Sequence, residues 1–248
     1  DALETCSTQE VKELTQTSGT KIIPCLVVYS EKPLTPTTTK TKVRMCVCGN
    51  FYESPYDLIT STTNADAAIV RIFLSYAARP GITIGGSDIG TAFLNAHIDQ
   101  RLTVLVSAPS SLVKLGVVPP GTVWRIKKAV YGLNVSPRLW QEERDKVLTT
   151  CEFSINGKHY HLQQSKTHPS MWYVNEGRRP IIKNATTLLV KDGELAQTHL
   201  WSPGRRVGIL IVYVDDLLIA ADRRIVLAAM DWFSTKWKMA EPELLGPE

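Results

Sequence analysis

Asp88, Asp215 and Asp216 stand where apolar runs end: Asp88 closes Ile82-Thr-Ile-Gly-Gly-Ser-Asp, and the Asp pair breaks off the run 207–214 in Tyr213-Val-Asp-Asp. Strand interiors deplete aspartate, and adjacent carboxylates repel one another. A solvated, Asp-rich hairpin tip accounts for the pair taken alone. A second strand-end acid widens the chemistry. Carboxylates from neighbouring strands of one sheet can bridge divalent cations. Two such ions roughly 3.5–4 Å apart activate an attacking oxygen and stabilise a leaving one in phosphoryl transfer. Side chains alternate along a strand, so Asp215 and Asp216 point apart unless the bend reorients them. The expectation is that Asp215 ligates both ions and Asp216 contributes less directly.

Those acids need elements to position them, and the patterning predicts a set. Residues 1–21 are a polar, threonine-rich lead-in, expected to be mobile. Runs 22–29 and 43–47 read as a β-ribbon whose connector, 30–41 (SEKPLTPTTTKT), reads as a flexible loop. A helix over 64–78 is capped by Asn64 and stopped by Pro80-Gly81. A strand over 82–88 follows, then a turn or short helix over 91–96 and strands over 102–106 and 122–127. Ser136-Pro137 opens a helix whose stripe is Leu139, Trp140, Val147, Leu148 and Cys151. Asn156-Gly157 is a turn signal, 171–174 a strand, and 176–206 a polar insertion. Residues 208–214 and 217–221 form a hairpin with the acids at its bend, and Asp222 caps a helix over 223–237. The class is α+β with a mixed or antiparallel sheet.

Composition sets the outer bounds. In 248 residues, 28 Lys and Arg less 24 Asp and Glu give +4, which permits a nucleic-acid partner without demanding one. With 44% hydrophobic and 21% charged residues, a chain disordered throughout is excluded. No apolar run reaches membrane-spanning length and no basic-then-apolar leader opens the chain, so neither membrane nor secretion is expected. Five irregularly spaced cysteines do not make a disulfide framework, and a reducing compartment is the simpler reading. Cys46 and Cys48 read as buried thiols rather than zinc ligands. His159 and His161 with Cys151 are a weak ligand set that an exposed turn explains equally well. Asp1 in place of Met reads as an excised or processed piece.

Three blocks, Asp88-Ile-Gly-Thr-Ala-Phe93-Leu-Asn, Tyr131-Gly-Leu-Asn-Val-Ser136-Pro137-Arg-Leu-Trp140 and Tyr213-Val-Asp-Asp216, follow Lys42-Val-Arg44-Met-Cys-Val-Cys-Gly49-Asn-Phe. In order and spacing they resemble the copia-type retrotransposon reverse transcriptases, from about residue 22 to the C-terminus. That resemblance implies an RNA-directed DNA polymerase domain of a Pol polyprotein. Its fold would be a right-hand polymerase, with fingers mainly in 22–80, and palm mainly in 81–248 as an antiparallel or mixed sheet with packed helices. Thumb and RNase H fall outside this length, which leaves independent activity open. The implied cofactor is Mg²⁺, as two ions that Mn²⁺ can replace, on Asp88, Asp215 and Asp216. The implied partners are an RNA or DNA template with its primer, deoxynucleoside triphosphates and the remainder of the polyprotein. An intracellular place follows, in a cytoplasmic particle or the nucleus.

Residue by residue, the resemblance sets Phe93 against the sugar of the incoming nucleotide, leaving no room for a 2′-hydroxyl; a core Phe at a helix start is the plain alternative. Val214 would face the primer–nucleotide junction, or be an ordinary β-branched strand residue. Tyr131 and Gly132 would underlie the nucleotide and template, with Tyr131 where retroviral relatives carry glutamine. Lys42 and Arg44 share a strand face and would contact the triphosphate, Arg44 foremost through bidentate bonding; a solvated basic edge strand is the alternative. Arg125, Lys127, Lys128 and Arg138 would track a duplex backbone, in a salt-sensitive way, or form a solvated face. His168 stands where the family often has Asp, and Lys236 and Lys238 compete for the lysine of the last palm motif. Two other readings remain: a catalytically inactive, co-opted copy that binds nucleic acid, and a metal-dependent phosphohydrolase using the same carboxylates.

Overall fold

A computed structural model describes residues 1–17, 19–35, 38–52, 60–99, 102–178 and 204–247. The chain opens with β1 (Leu3–Thr5), α1 (Thr8–Thr17), β2 (Ile22–Ile23), β3 (Cys25–Thr35) and β4 (Thr38–Val47). It continues with α2 (Ala67–Ala77), β5 (Thr83–Asp88), β6 (Leu105–Ser107), α3 (Ser110–Lys114), β7 (Val123–Ile126) and α4 (Ser136–Thr149). Then come β8 (Glu152–Ile155), β9 (Lys158–Gln164), β10 (Met171–Glu176), β11 (Arg205–Tyr213), β12 (Asp216–Ala221), α5 (Arg223–Ser234) and β13 (Glu243–Leu245). The α+β expectation holds: sheets and helices are mixed along the chain. Contacts divide it into two compact units, Asp1–Thr62 with Thr91–Arg144, and Thr63–Gly90 with Asp145–Glu248.

The first unit contains a four-stranded sheet, β1-β7-β6-β2, and the two-stranded β3-β4 ribbon. Its core gathers Ile23, Val47, Val104, Val106, Ile126 and Leu133. Two expectations are corrected here. Residues 1–21 are not a structureless lead-in: β1 pairs antiparallel with β7 and α1 follows it. The residues 30–41 are not a loop at large, because the ribbon pairs out to Thr35 opposite Thr38. Threonine-rich sequence suits a pleated strand as well as a loop.

Backbone approach fixes the ribbon's base. Val47 N–H donates to the Tyr131 carbonyl at 2.8 Å, and Gly49 N–H to the Gly132 carbonyl at 3.1 Å. Gly132 has φ +87°, and a Cβ there would collide with the Val47 carbonyl oxygen. Only glycine meets both conditions without strain.

The second unit is built on a seven-stranded sheet, β13-β5-β12-β11-β10-β9-β8, antiparallel at every pairing. Its central strand β11 carries the continuous buried run Ile209, Leu210, Ile211 and Val212. Strands covered on both faces read this way rather than alternating. On one face, Ile69 and Phe73 of α2 pack with Met171, Ile209, Ile211 and Ala220. On the other lies α5, against which a Cβ on Gly85 would strike Val226 and Met230. The turn at Asn156 (φ +50°) and Gly157 (φ +78°) joins β8 to β9 in the geometry of a type I′ hairpin. α2 starts later than expected: Asp66, not Asn64, is the cap, accepting from the N–H groups of Ala68 and Ile69. The 176–206 insertion lies largely outside the described residues; at its ends Glu176 and Arg205 are paired strand residues.

Replacing Gly132 with alanine should lower stability by about 2–3 kcal/mol, since a strained φ and a backbone clash coincide. Urea unfolding of Gly132→Ala measures this, and an unchanged midpoint would contradict the packing described.

Candidate active site

Register decides which acids meet. β12 pairs antiparallel with β5 so that Asp216 lies opposite Asp88, Leu218 opposite Gly86 and Ala220 opposite Ile84. Cross-strand partners share a sheet face, so Asp88 and Asp216 project to the same side. Asp215 sits beside them in the two-residue turn closing β11 and β12, where Tyr213 pairs with Asp216. Val214 has φ +54° while Asp215 is not in the left-handed region, the pattern of a type II′ turn. A β-branched residue there costs on the order of 1–3 kcal/mol. The strain sits at the residue between the tyrosine and the acid pair.

Asp88, Asp216 and Tyr213 line a cleft of about 480 Å³ with Val70 of α2 and Leu218 of β12. The Asp215 carboxyl is held above the usual carboxylate range, first by burial, then by the charges of Asp88 and Asp216 and a hydrogen bond with Asp88. Asp216 is raised too, by burial and then by Asp88. Among the described residues, no cation pairs with these three carboxyls. Nor does any group of three His, Cys or acidic side chains stand close enough to hold an ion as it is, so an ion would have to draw the carboxyls together. Hard oxygen donors with uncompensated negative charge are the donor set that Mg²⁺ or Mn²⁺ takes.

A segment following α5 braces this end of the sheet. Ala240 N–H donates to the Asp88 carbonyl at 3.0 Å and Gly90 N–H to the Lys238 carbonyl at 2.7 Å. The Ser87 hydroxyl donates to the Ala240 carbonyl at 2.8 Å. Lys238 is thereby tethered beside Asp88, whereas the Lys236 ammonium lies 5.0 Å from the Trp232 ring centroid. Ser87 and this strap were not legible in the sequence: a serine before an aspartate carries no signal for a partner 153 residues away. His168 packs beside α2's cap, its Nε2 3.4 Å from the Asp66 carboxylate and its Nδ1 2.7 Å from the Ser170 hydroxyl.

Of the nucleotide candidates, Phe93, Arg44, Lys42, Tyr131 and Gly132 lie in the first unit and Val214 in the second. Phe93 meets the Tyr131 ring edge-on, with centroids 5.0 Å apart. The Arg44 guanidinium carbon lies 5.7 Å from the same ring's centroid. Lys42 is exposed two residues along the strand. The basic candidates have closer attachments. Arg125 pairs with Glu10 and Lys127 with Glu4, each at 2.7 Å, and Arg138 with Glu142 at 2.6 Å. Lys128 faces His97 across an isolated bridge. Cys25, not Cys46 or Cys48, is the deeply buried thiol of this ribbon, and burial pushes it up to about 11.

The raised acids give a stability signature. Their folded pKa values exceed the unfolded ones, so the folded state binds more protons and stability falls as pH rises past the ordinary carboxylate range. In chelator-containing buffer, Asp215→Asn should therefore melt higher than wild type at pH 7, with the gain vanishing near about pH 4. A lower melting temperature at pH 7 would contradict the crowding of carboxylates.

Comparison with known proteins bears on the family of the chain. The family described as "Reverse transcriptase (RNA-dependent DNA polymerase)" matches residues 9–164, a span that holds Asp88, Phe93 and Tyr131 and stops short of the Asp215 hairpin. A similar protein is the retrovirus-related Pol polyprotein from transposon RE2 of Arabidopsis thaliana, 26% identical over 175 residues, or 70% of this chain. Those residues amount to 9% of that polyprotein. With more than half of its length matched, the chain belongs to the reverse transcriptase family.

Proposed function

We propose that this chain is the RNA-directed DNA polymerase domain of a copia-like retrotransposon Pol polyprotein, with fingers mainly in 22–80 and palm mainly in 81–248. The observation that carries the reading is the facing of Asp88 and Asp216 across β5 and β12, with Asp215 on the adjoining turn. The reaction is an in-line attack of a primer 3′-hydroxyl on the α-phosphorus of a deoxynucleoside triphosphate, with pyrophosphate leaving. Bound to these carboxylates, two Mg²⁺ ions would lower the pKa of the attacking hydroxyl and neutralise the leaving group.

The chain's own residues divide the remaining work. Asp88 and Asp215 would hold the ions and Asp216 would complete the negative set. Val214, fixed by its strained turn, presents a β-branched wall to the primer terminus. Arg44 takes the triphosphate, oriented by the face of Tyr131. Phe93, braced by the same ring, closes off the space of a 2′-hydroxyl. Lys238, tethered beside Asp88, is better placed than Lys236 to serve the last palm motif. The template, primer and rest of the polyprotein are the partners, in an intracellular particle or the nucleus. No helix among the described residues is long and apolar enough to cross a membrane.

Primer extension on an RNA template with Mg²⁺ tests this. Wild type should extend, and Asp215→Asn should lose extension by at least about a thousandfold while still binding template. Phe93→Val should raise ribonucleotide incorporation about tenfold or more. Wild-type protein that binds template–primer and never extends it would support the inactive, co-opted copy instead.

A further inference from the structure

The end of the seven-stranded sheet remote from the acids has the opposite charge. Lys158, Arg178, Arg205, Arg206, Arg223 and Arg224 cluster there with Glu176 and Asp222. Six cations less two acids leave +4 among the described residues at this pole. A cleft of about 430 Å³ opens in it, between the 156–158 turn, the start of β11 and the first turn of α5. Arg205 and Tyr213, at the two ends of β11, are eight residue steps apart, roughly 26 Å at about 3.3 Å per residue.

Part of this charge is engaged locally: Arg224 Nε lies 3.4 Å from Asp222 Oδ1, and Arg223 Nη1 donates to the Pro247 carbonyl at 3.5 Å. Arg223 and Arg224 occupy the first turn of α5, where positive charge opposes the helix dipole. Glu176 already bonds both Lys158 and Arg205, at 2.9 and 2.8 Å, which leaves Arg206 and Arg178 in surplus over the acids among the described residues. Arg206 is exposed, its guanidinium carbon 3.9 Å from the Tyr173 ring centroid. None of the cleft's lining residues is an exposed large hydrophobe, so the apolar anchor that a protein partner would need is lacking.

We infer that this pole is a second nucleic-acid-binding surface, taking the phosphodiester backbone of a strand along the cleft, apart from the catalytic carboxylates. Guanidinium groups suit phosphate through paired hydrogen bonds, and a surface with no base-reading groups binds without sequence preference. Such a site would retain template during synthesis.

The test is fluorescence anisotropy of a 20-nucleotide labelled RNA with the full chain, without divalent ions, across 50–200 mM KCl. Arg206→Glu combined with Arg224→Glu should weaken binding at least tenfold at the lowest salt. It should also make the slope of log K against log salt shallower by about 1.4, the value for two lost phosphates at about 0.7 each on a single strand. Arg206→Lys with Arg224→Lys should keep both values near wild type. Arg206→Glu alone, with half the slope change, serves if the double variant melts early. Unchanged affinity and slope in the Glu variants overturn the inference. Displacement of RNA by poly-glutamate at equal charge would overturn it in favour of an acidic polypeptide. Extension of a short primer–template should be unaffected by these variants, and a wild type that never extends would sink the polymerase reading while leaving the RNA comparison decisive for this surface.

Discussion

One pairing governs the molecule's chemistry: β12 against β5, in the register that sets Asp216 opposite Asp88. Slipping by one residue would send one of the two acids to the other face of the sheet. Mutual repulsion among three carboxylates works against this register; burial first, and that repulsion after it, holds the Asp215 and Asp216 carboxyls above the usual range. What holds the strands in place is their apolar remainder. Leu217, Ile219 and Ala221 of β12 are fully buried, and Gly85 lets α5 come down onto β5. The strap through Ala240 and Lys238 pins the same strand end from its other edge. Packing thus imposes a charge arrangement that the bare acids would avoid.

A second local device acts in the other unit. Gly132 and Gly49 allow two backbone segments to touch, and the contact fixes Tyr131. The Tyr131 ring then serves two neighbours, Arg44 by its face and Phe93 by edge-on contact. In the polymerase reading, phosphate recognition and sugar discrimination share that ring, so both depend on a pair of glycines that never meet the nucleotide.

How much of this was legible beforehand differs by element. The acid hairpin was readable because Asp residues inside an apolar run violate strand preference, and Asp88 because it ends a similar run. Asp222 as a cap was readable for the same local reason. Asp66 was missed in favour of Asn64 because both residue types cap helices, and only the geometry at Ala68 and Ile69 separates them. α1 left no stripe to detect: none of its residues is buried. The paired ends of the ribbon were hidden by threonine and proline, which read as loop until a partner strand is known. Lys238's place depended on backbone bonds between segments about 150 residues apart, and periodicity carries no such information. The charged pole was invisible for a related reason, since its cations come from four separate elements.

The central claim is that carboxylates from two different strands form one cation site. Titration of Mn²⁺ into wild type and Asp88→Asn, read by the paramagnetic resonance of the free ion, addresses it directly. The account predicts that losing this single strand-β5 carboxylate weakens Mn²⁺ binding at the hairpin by about tenfold or more. Equal Mn²⁺ affinity in the two proteins would contradict it.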